Sequence, residues 1–188
     1  IKMTLDEIRV EIDAVDTQMK PLFLKRMECA KHVAETKAQT GGDVFVLERE
    51  LAIIEKRAGD VDPEIYEEYV AFLRHLMSVS RRYQYGILKE MQDAVLHAAE
   101  EEAGINENVP HTQVEITFTC PKATSDLNLY INMSKLNHVE INALSLKTEE
   151  GIQNIHMTLD GSLKEEKMRR FLCQVGKEAE NFHITGIR

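Results

Sequence analysis

Several polar side chains in this sequence stand where the pattern around them asks for hydrocarbon. From Thr4 to Gln39 the residues Leu5, Ile8, Ile12, Val15, Met19 and Leu22 recur at alternating spacings of three and four. That is the narrow stripe by which one long helix packs against a partner helix. The same phase continues through Arg26 to Cys29 and Val33. Arg26 therefore occupies a stripe position, and Lys37, about three turns beyond, projects from nearly the same face. Desolvating an unpaired charge costs roughly several kcal/mol, so Arg26 requires an anion nearby. Either it is one half of a buried ion pair and Lys37 a solvated cation at a helix end, or both belong to a site for an anionic ligand. A second apolar stripe is interrupted by Ser80 and Gln84, which share one face. These must be hydrogen-bonded to neighbouring helices or to something bound. Arg49 and Glu50 are adjacent on a short amphipathic segment, where they could equally be surface charges.

Composition narrows the classes of function. A chain of 188 residues with 43% hydrophobic and 29% charged residues is ordinary for a soluble protein and can hold one large domain or two small ones. A net charge of −9 argues against nucleic acid or an anionic membrane as partner, while leaving room for a small anion in a locally cationic pocket. No apolar run approaches a membrane span, and no signal segment is expected before the first helix. Cys29, Cys120 and Cys173 are far apart and form no metal or redox pair. They point to reduced thiols in a cytoplasmic protein, two of them in the core. The histidines lack metal-ligand spacing, and there is no glycine-rich phosphate loop or nucleophile elbow. No metal and no cofactor are expected.

Three helices should carry these residues. The first ends near Gly41-Gly42, and the second runs from about Val46 to Ala58. The third is capped by Asp62 with Pro63 at its first position and continues to about Ala99 along Ile65, Tyr69, Leu73, Leu76, Tyr83, Ile87, Met91 and Val95. Helices this long usually need another chain to cover them. Residues 1–99 are thus expected to form a helical domain, 100–112 a linker, and 113–188 a second domain. In the latter, Val114, Ile116 and Phe118 alternate as in a strand, and so do Val139 and Ile141. Glu149-Glu150-Gly151 reads as a hairpin, Ser162 and Glu165 as a capping box, and Phe182 to Ile187 as a closing strand. Asp126 to Leu136 reads as a helix with Thr124 or Ser125 as cap, giving the order β-α-β-β-α-β, an open α/β sandwich.

The helical part resembles the all-helical chorismate mutase family. The resemblance is carried by LDEIRVEID (Leu5 to Asp13), LKRMECAKHVAETK (Leu24 to Lys37), the pair Arg49-Glu50, and SRRYQ (Ser80 to Gln84). It implies an intertwined homodimer that binds chorismate and releases prephenate. Arg26 would grip one substrate carboxylate and Arg9 would reach in from the other subunit. Lys37 and Gln84 would hydrogen-bond the ether oxygen. Arg49 would join the pocket, Glu50 would take the substrate hydroxyl, and Ser80 would lie beside a carboxylate. Where the family often has an aspartate four residues before the glutamate, this chain has Val46. Helix geometry adds a constraint: Arg9 lies about 25 Å from Arg26 and about 42 Å from Lys37 along one rod. Arg9 can therefore serve that pocket only from a second chain.

The second part resembles the ACT domain found at the end of prephenate dehydratases, through the stretch His138 to Leu172 and the closing ITGI. It implies a ferredoxin-like βαββαβ fold and an amino-acid effector. The ligand segments depart from that family: Leu127-Asn128-Leu129 stands for Gly-Ala-Leu, and Ser145 to Thr148 for Glu-Ser-Arg-Pro. Weak response to phenylalanine is the expectation. Two other functions fit the same helical scaffold, a lyase releasing pyruvate from isochorismate and a non-catalytic regulatory dimer.

Overall fold

The computed structural model describes residues 2–121 and 127–188. The first helix, α1, runs from Leu5 to Thr40 and has a Thr4–Glu7 capping box, in which Thr4 Oγ1 accepts from the Glu7 amide at 3.2 Å. At its far end Gly41 adopts φ 76°, a left-handed conformation that glycine takes without strain, and its N–H donates to the Lys37 carbonyl. Helix α2 spans Leu47–Ala58 and α3 spans Tyr66–Ile87. Asp62 does not cap this helix: its carboxylate accepts from the Glu64 amide at 2.8 Å within a turn that includes Pro63, and Ile65 stands at the N-cap of α3.

The third helix does not continue to Ala99 as one rod. It stops at Ile87, Leu88 takes φ −86° and ψ 70°, and a separate helix α4 runs from Lys89 to Ala103. The break falls just after Gly86, where helix propensity is low. The buried Gln92 side chain donates to the Tyr85 carbonyl at 2.8 Å, supplying a partner for a group that the break would strand. The residues expected to be a linker therefore divide. Residues 100–103 finish α4, Gly104 caps it at φ 67°, and only 105–112 connect onward.

Beyond lies the order β1 (Gln113–Pro121), α5 (Leu127–Leu136), β2 (Glu140–Glu149), β3 (Ile152–Asp160), α6 (Glu166–Glu178) and β4 (Glu180–Ile187). The strands form one antiparallel sheet in the order β2-β3-β1-β4. The expected β-α-β-β-α-β order is thus present, and the helical reading of the α5 stretch holds; its expected cap at Thr124 or Ser125 lies outside the described residues. Glu150 and Gly151 turn the β2–β3 hairpin with φ 51° and 76°, the positive pair a two-residue turn needs. Ser162 and Glu165 sit in the turn before α6, the Glu165 carboxylate accepting from the Ser162 amide at 2.6 Å.

Burial alternates along β1, with Val114, Ile116, Phe118 and Cys120 inward. Phe118 meets Tyr130 of α5 edge-on, ring centroids 4.9 Å apart. Leu96 and Ala99 of α4 belong to this same core. A second cluster joins Ala34 of α1, Tyr85 and Leu88 to Cys173 of α6. Burial pushes the Cys173 thiol up to about 12, so it is a packing group and not a nucleophile. Contacts between the two parts are close: a Cβ placed on Gly86 would lie 2.9 Å from Arg170 Nε, and one on Gly176 would lie 2.7 Å from Val95 Cγ1. The helical and α/β regions are fused along α3, α4 and α6. By contrast, the first half of α1 stands exposed: Leu5, Ile12, Val15 and Leu22 are all more than half exposed.

Candidate active site

Where the C-terminal half of α1 lies across α2 and α3, a cavity of about 260 Å³ opens. Arg26 and Lys37 reach it from α1, Arg49 and Glu50 from α2, and Ser80 and Gln84 from α3. Val44 and Val46, in the turn before α2, complete one wall. Helical periodicity explains the gathering. Residues three, four and eleven apart return to the same face, so each element brings its polar groups to the common seam.

The cavity is cationic on one side. Lys37 Nζ donates to the Asp43 carbonyl, and burial lowers its ammonium pKa. The Arg49 guanidinium lowers it further, against opposing pulls from Asp43 and Glu50. Arg26 makes no ion pair among the described residues, so the buried-pair alternative is not what this protomer contains. Gln84 is 7% exposed, and its Oε1 is buried with no hydrogen-bond partner among the described residues. A buried amide lacking a partner carries an energetic penalty that a bound polar ligand would relieve.

Arg9 is not among these residues. It lies on the bare end of α1, its side chain 66% exposed beside Asp6 at 3.7 Å. Within one protomer the structure brings six of the seven expected residues together and leaves the seventh far along the rod.

One residue at the site was not anticipated. Arg81, next to Ser80, lines the cavity and faces both oxygens of Glu50 through Nη1. Its Nε donates to Glu178 Oε2 of α6 at 3.0 Å, and its guanidinium lies 4.9 Å above the Phe45 ring. Burial opposes the charge on Arg81, but Glu178 and then Glu50 more than restore it, so its pKa is raised. Burial pushes the Glu178 carboxyl up, and Arg81 offsets part of that rise. Four-residue spacing puts Arg81 on the face of α3 that carries Met77 and Tyr85, both buried, but spacing alone does not show which anion meets it.

Comparison with known proteins now fits this geometry. Residues 8–85 match the family model described as chorismate mutase type II, a span covering α1 to α3. The match takes in every element that lines the cavity, while α4 and the α/β region lie outside it. Among individual proteins, the T-protein of Haemophilus influenzae is 38% identical over 53 residues, covering 28% of this chain. The chain spans only 14% of that relative's length in the matched region. No solved structure matches significantly. Among the described residues, no helix is long and apolar enough to cross a membrane.

Proposed function

We propose that this protein is a chorismate mutase, rearranging chorismate to prephenate, a step toward phenylalanine and tyrosine. The observation that carries the reading is the convergence of Arg26, Lys37, Arg49, Glu50, Ser80 and Gln84 on one cavity inside the matched domain. The reaction is unimolecular: a carbon–oxygen bond breaks, a carbon–carbon bond forms, and negative charge grows on the ether oxygen. The protein's task is to hold a dicarboxylate in its reactive shape and to meet that charge. Arg26 and Arg49 suit the carboxylates because a planar guanidinium pairs bidentately. Lys37 and Gln84 are the cation and amide donor for the ether oxygen. Glu50 accepts from the substrate hydroxyl, and Ser80 lies beside a carboxylate.

The active unit in this reading is an antiparallel homodimer. The exposed stripe from Leu5 to Leu22 supports it, because an apolar face of this length is unfavourable in water. In the dimer Arg9 enters the partner's cavity, and two equivalent sites result. The α/β domain is the ACT-like part of this proposal, with an amino-acid effector site weakened by its departures at Leu127 to Leu129 and Ser145 to Thr148. We place the protein in the cytoplasm.

The test is prephenate formation by the purified chain, with pyruvate release from isochorismate measured in parallel. Prephenate without pyruvate supports the mutase. Pyruvate release as the main activity would replace it with the lyase, and neither activity in a folded dimer would leave a regulatory scaffold.

A further inference from the structure

We propose that Arg81 is a positioning residue of the mutase site, holding the Glu50 carboxylate from behind while Glu178 of α6 holds Arg81. The inference rests on the mutase reading and adds that the α/β domain completes the catalytic cavity.

The geometry leaves Arg81 little freedom. Its side chain is 6% exposed, that of Glu178 is 1%, and that of Glu50 is 18%. The Phe45 ring covers one face of the guanidinium, Glu178 takes Nε, and Nη1 is turned to Glu50. A buried guanidinium cannot swing away from both anions without stranding its charge. Glu50 is thereby held at the wall of the 260 Å³ cavity, with Arg81 behind it. Glu50 and Arg81 also line a second cavity of about 510 Å³ between α2, α3 and α5, so the pair is the partition between the two spaces.

The partner that fixes this partition lies 97 residues from Arg81 in sequence, at the end of α6. Nearby, Gln174 of the same helix donates to the Ser78 carbonyl at 3.4 Å, and Cys173 packs with Tyr85 and Ala34. The last two turns of α6 therefore support α3 along the stretch that presents Ser80, Arg81 and Gln84. Two carboxylates share one guanidinium, so Glu50 retains lone pairs for a substrate hydroxyl. A carboxylate with free rotation would have to be ordered each time substrate bound, and the anchored one is oriented beforehand.

The experiment is a double-mutant cycle on kcat/KM for chorismate. Glu178→Gln preserves shape and hydrogen bonding while removing charge, and Arg81→Lys preserves charge while removing the fork. Each is made with Glu50 intact and with Glu50→Gln. Circular dichroism and gel filtration confirm fold and assembly of every variant. If Arg81 and Glu178 act through Glu50, each single change lowers kcat/KM by about tenfold, and the same change adds less than about twofold once Glu50 is Gln. Losses that multiply in full in the Glu50→Gln background would overturn the inference, because they would show support of the fold alone. So would single variants with unaltered kcat/KM. Lack of chorismate rearrangement by the unaltered chain removes the mutase reading, and the inference falls with it. Measuring the unaltered chain first separates the two failures.

Discussion

The two halves of α1 carry one continuous periodic pattern and end in opposite surroundings. In the second half, Ala30 and Ala34 are buried against α3, and Arg26 and Lys37 border a cavity. In the first half, Leu5, Ile12, Val15 and Leu22 stand in water, and Arg9 pairs with Asp6 of its own helix. The difference is not in the residue types, since both halves place a cation on or beside an apolar stripe. It lies in what crosses the helix. A periodic face specifies that something must cover it, but only the chain's own topology decides whether the cover is α3 or another molecule. The two halves thus contribute unequally to the cavity in one protomer, and the comparison is sharpest where it can be broken.

The largest effect should come from the covered half. Lys37→Ala and Gln84→Ala should each lower kcat by about a hundredfold or more, the usual cost of losing one preorganised donor to a developing oxyanion. Thermal unfolding should shift little. Turnover within a few-fold of the parent in both variants would disprove the assigned roles.

The bare half is tested by complementation. Arg9→Ala and Lys37→Ala are each expected to be nearly inactive alone. After subunit exchange, a mixed dimer has both lesions in one site and neither in the other, so an equimolar mixture should recover about a quarter of parental activity. No recovery after exchange, verified by mass spectrometry of differently labelled subunits, would exclude Arg9 from the partner's site.

A smaller effect concerns pH. Burial and Arg49 depress the Lys37 pKa, so its positive charge is lost at lower pH than for an ordinary lysine near 10.4. If the ammonium is the form that meets the ether oxygen, as proposed, kcat/KM should fall as pH rises through that depressed value. The sign is that of a cation destabilised by its surroundings: activity is present below the transition and lost above it. In Lys37→Arg the alkaline fall should disappear or move to much higher pH; a fall unchanged in position would assign it to another group. Phenylalanine should have the least effect of all. Isothermal titration is expected to show no binding at micromolar concentrations, and tight binding would place the effector away from the segments at Leu127 and Ser145.

Much of the α/β region was readable because its signals are local. Alternation in β1, positive-φ residues in the hairpin and a polar turn before α6 each act over a few residues. The polar lining of the cavity was readable for the same reason, since Arg26, Ser80 and Gln84 interrupt stripes that would otherwise be apolar. The break at Leu88 was hidden because Ile87, Met91 and Val95 stay in helical phase on both sides of it. Only Gly86 hinted at it, and the Gln92 side chain that supports the break forms its bond through tertiary structure. Arg81 was hidden by its neighbour: Arg81-Arg82 in a charged segment reads as solvated surface. Arg82 does face outward in part, bonding Asn137 at 3.1 Å. What distinguishes Arg81 is a carboxylate far away in sequence, and no periodicity reports that.

The close contact of α6 with α3 and α4 has a consequence for descent. A catalytic module joined to a sensor by a loose tether can exchange that sensor for another in a single recombination. Here such an exchange would bring a foreign helix against Gly86, where the end of the Arg170 side chain now lies close enough that an added methyl would displace it, and would strand a buried guanidinium at Arg81 without Glu178. Substitutions on the two sides of the seam must therefore travel together. Among relatives that keep both halves, the identities at positions 81, 86, 170 and 178 should vary as a set, and transplanting either half alone should yield a chain that folds poorly before it fails to catalyse.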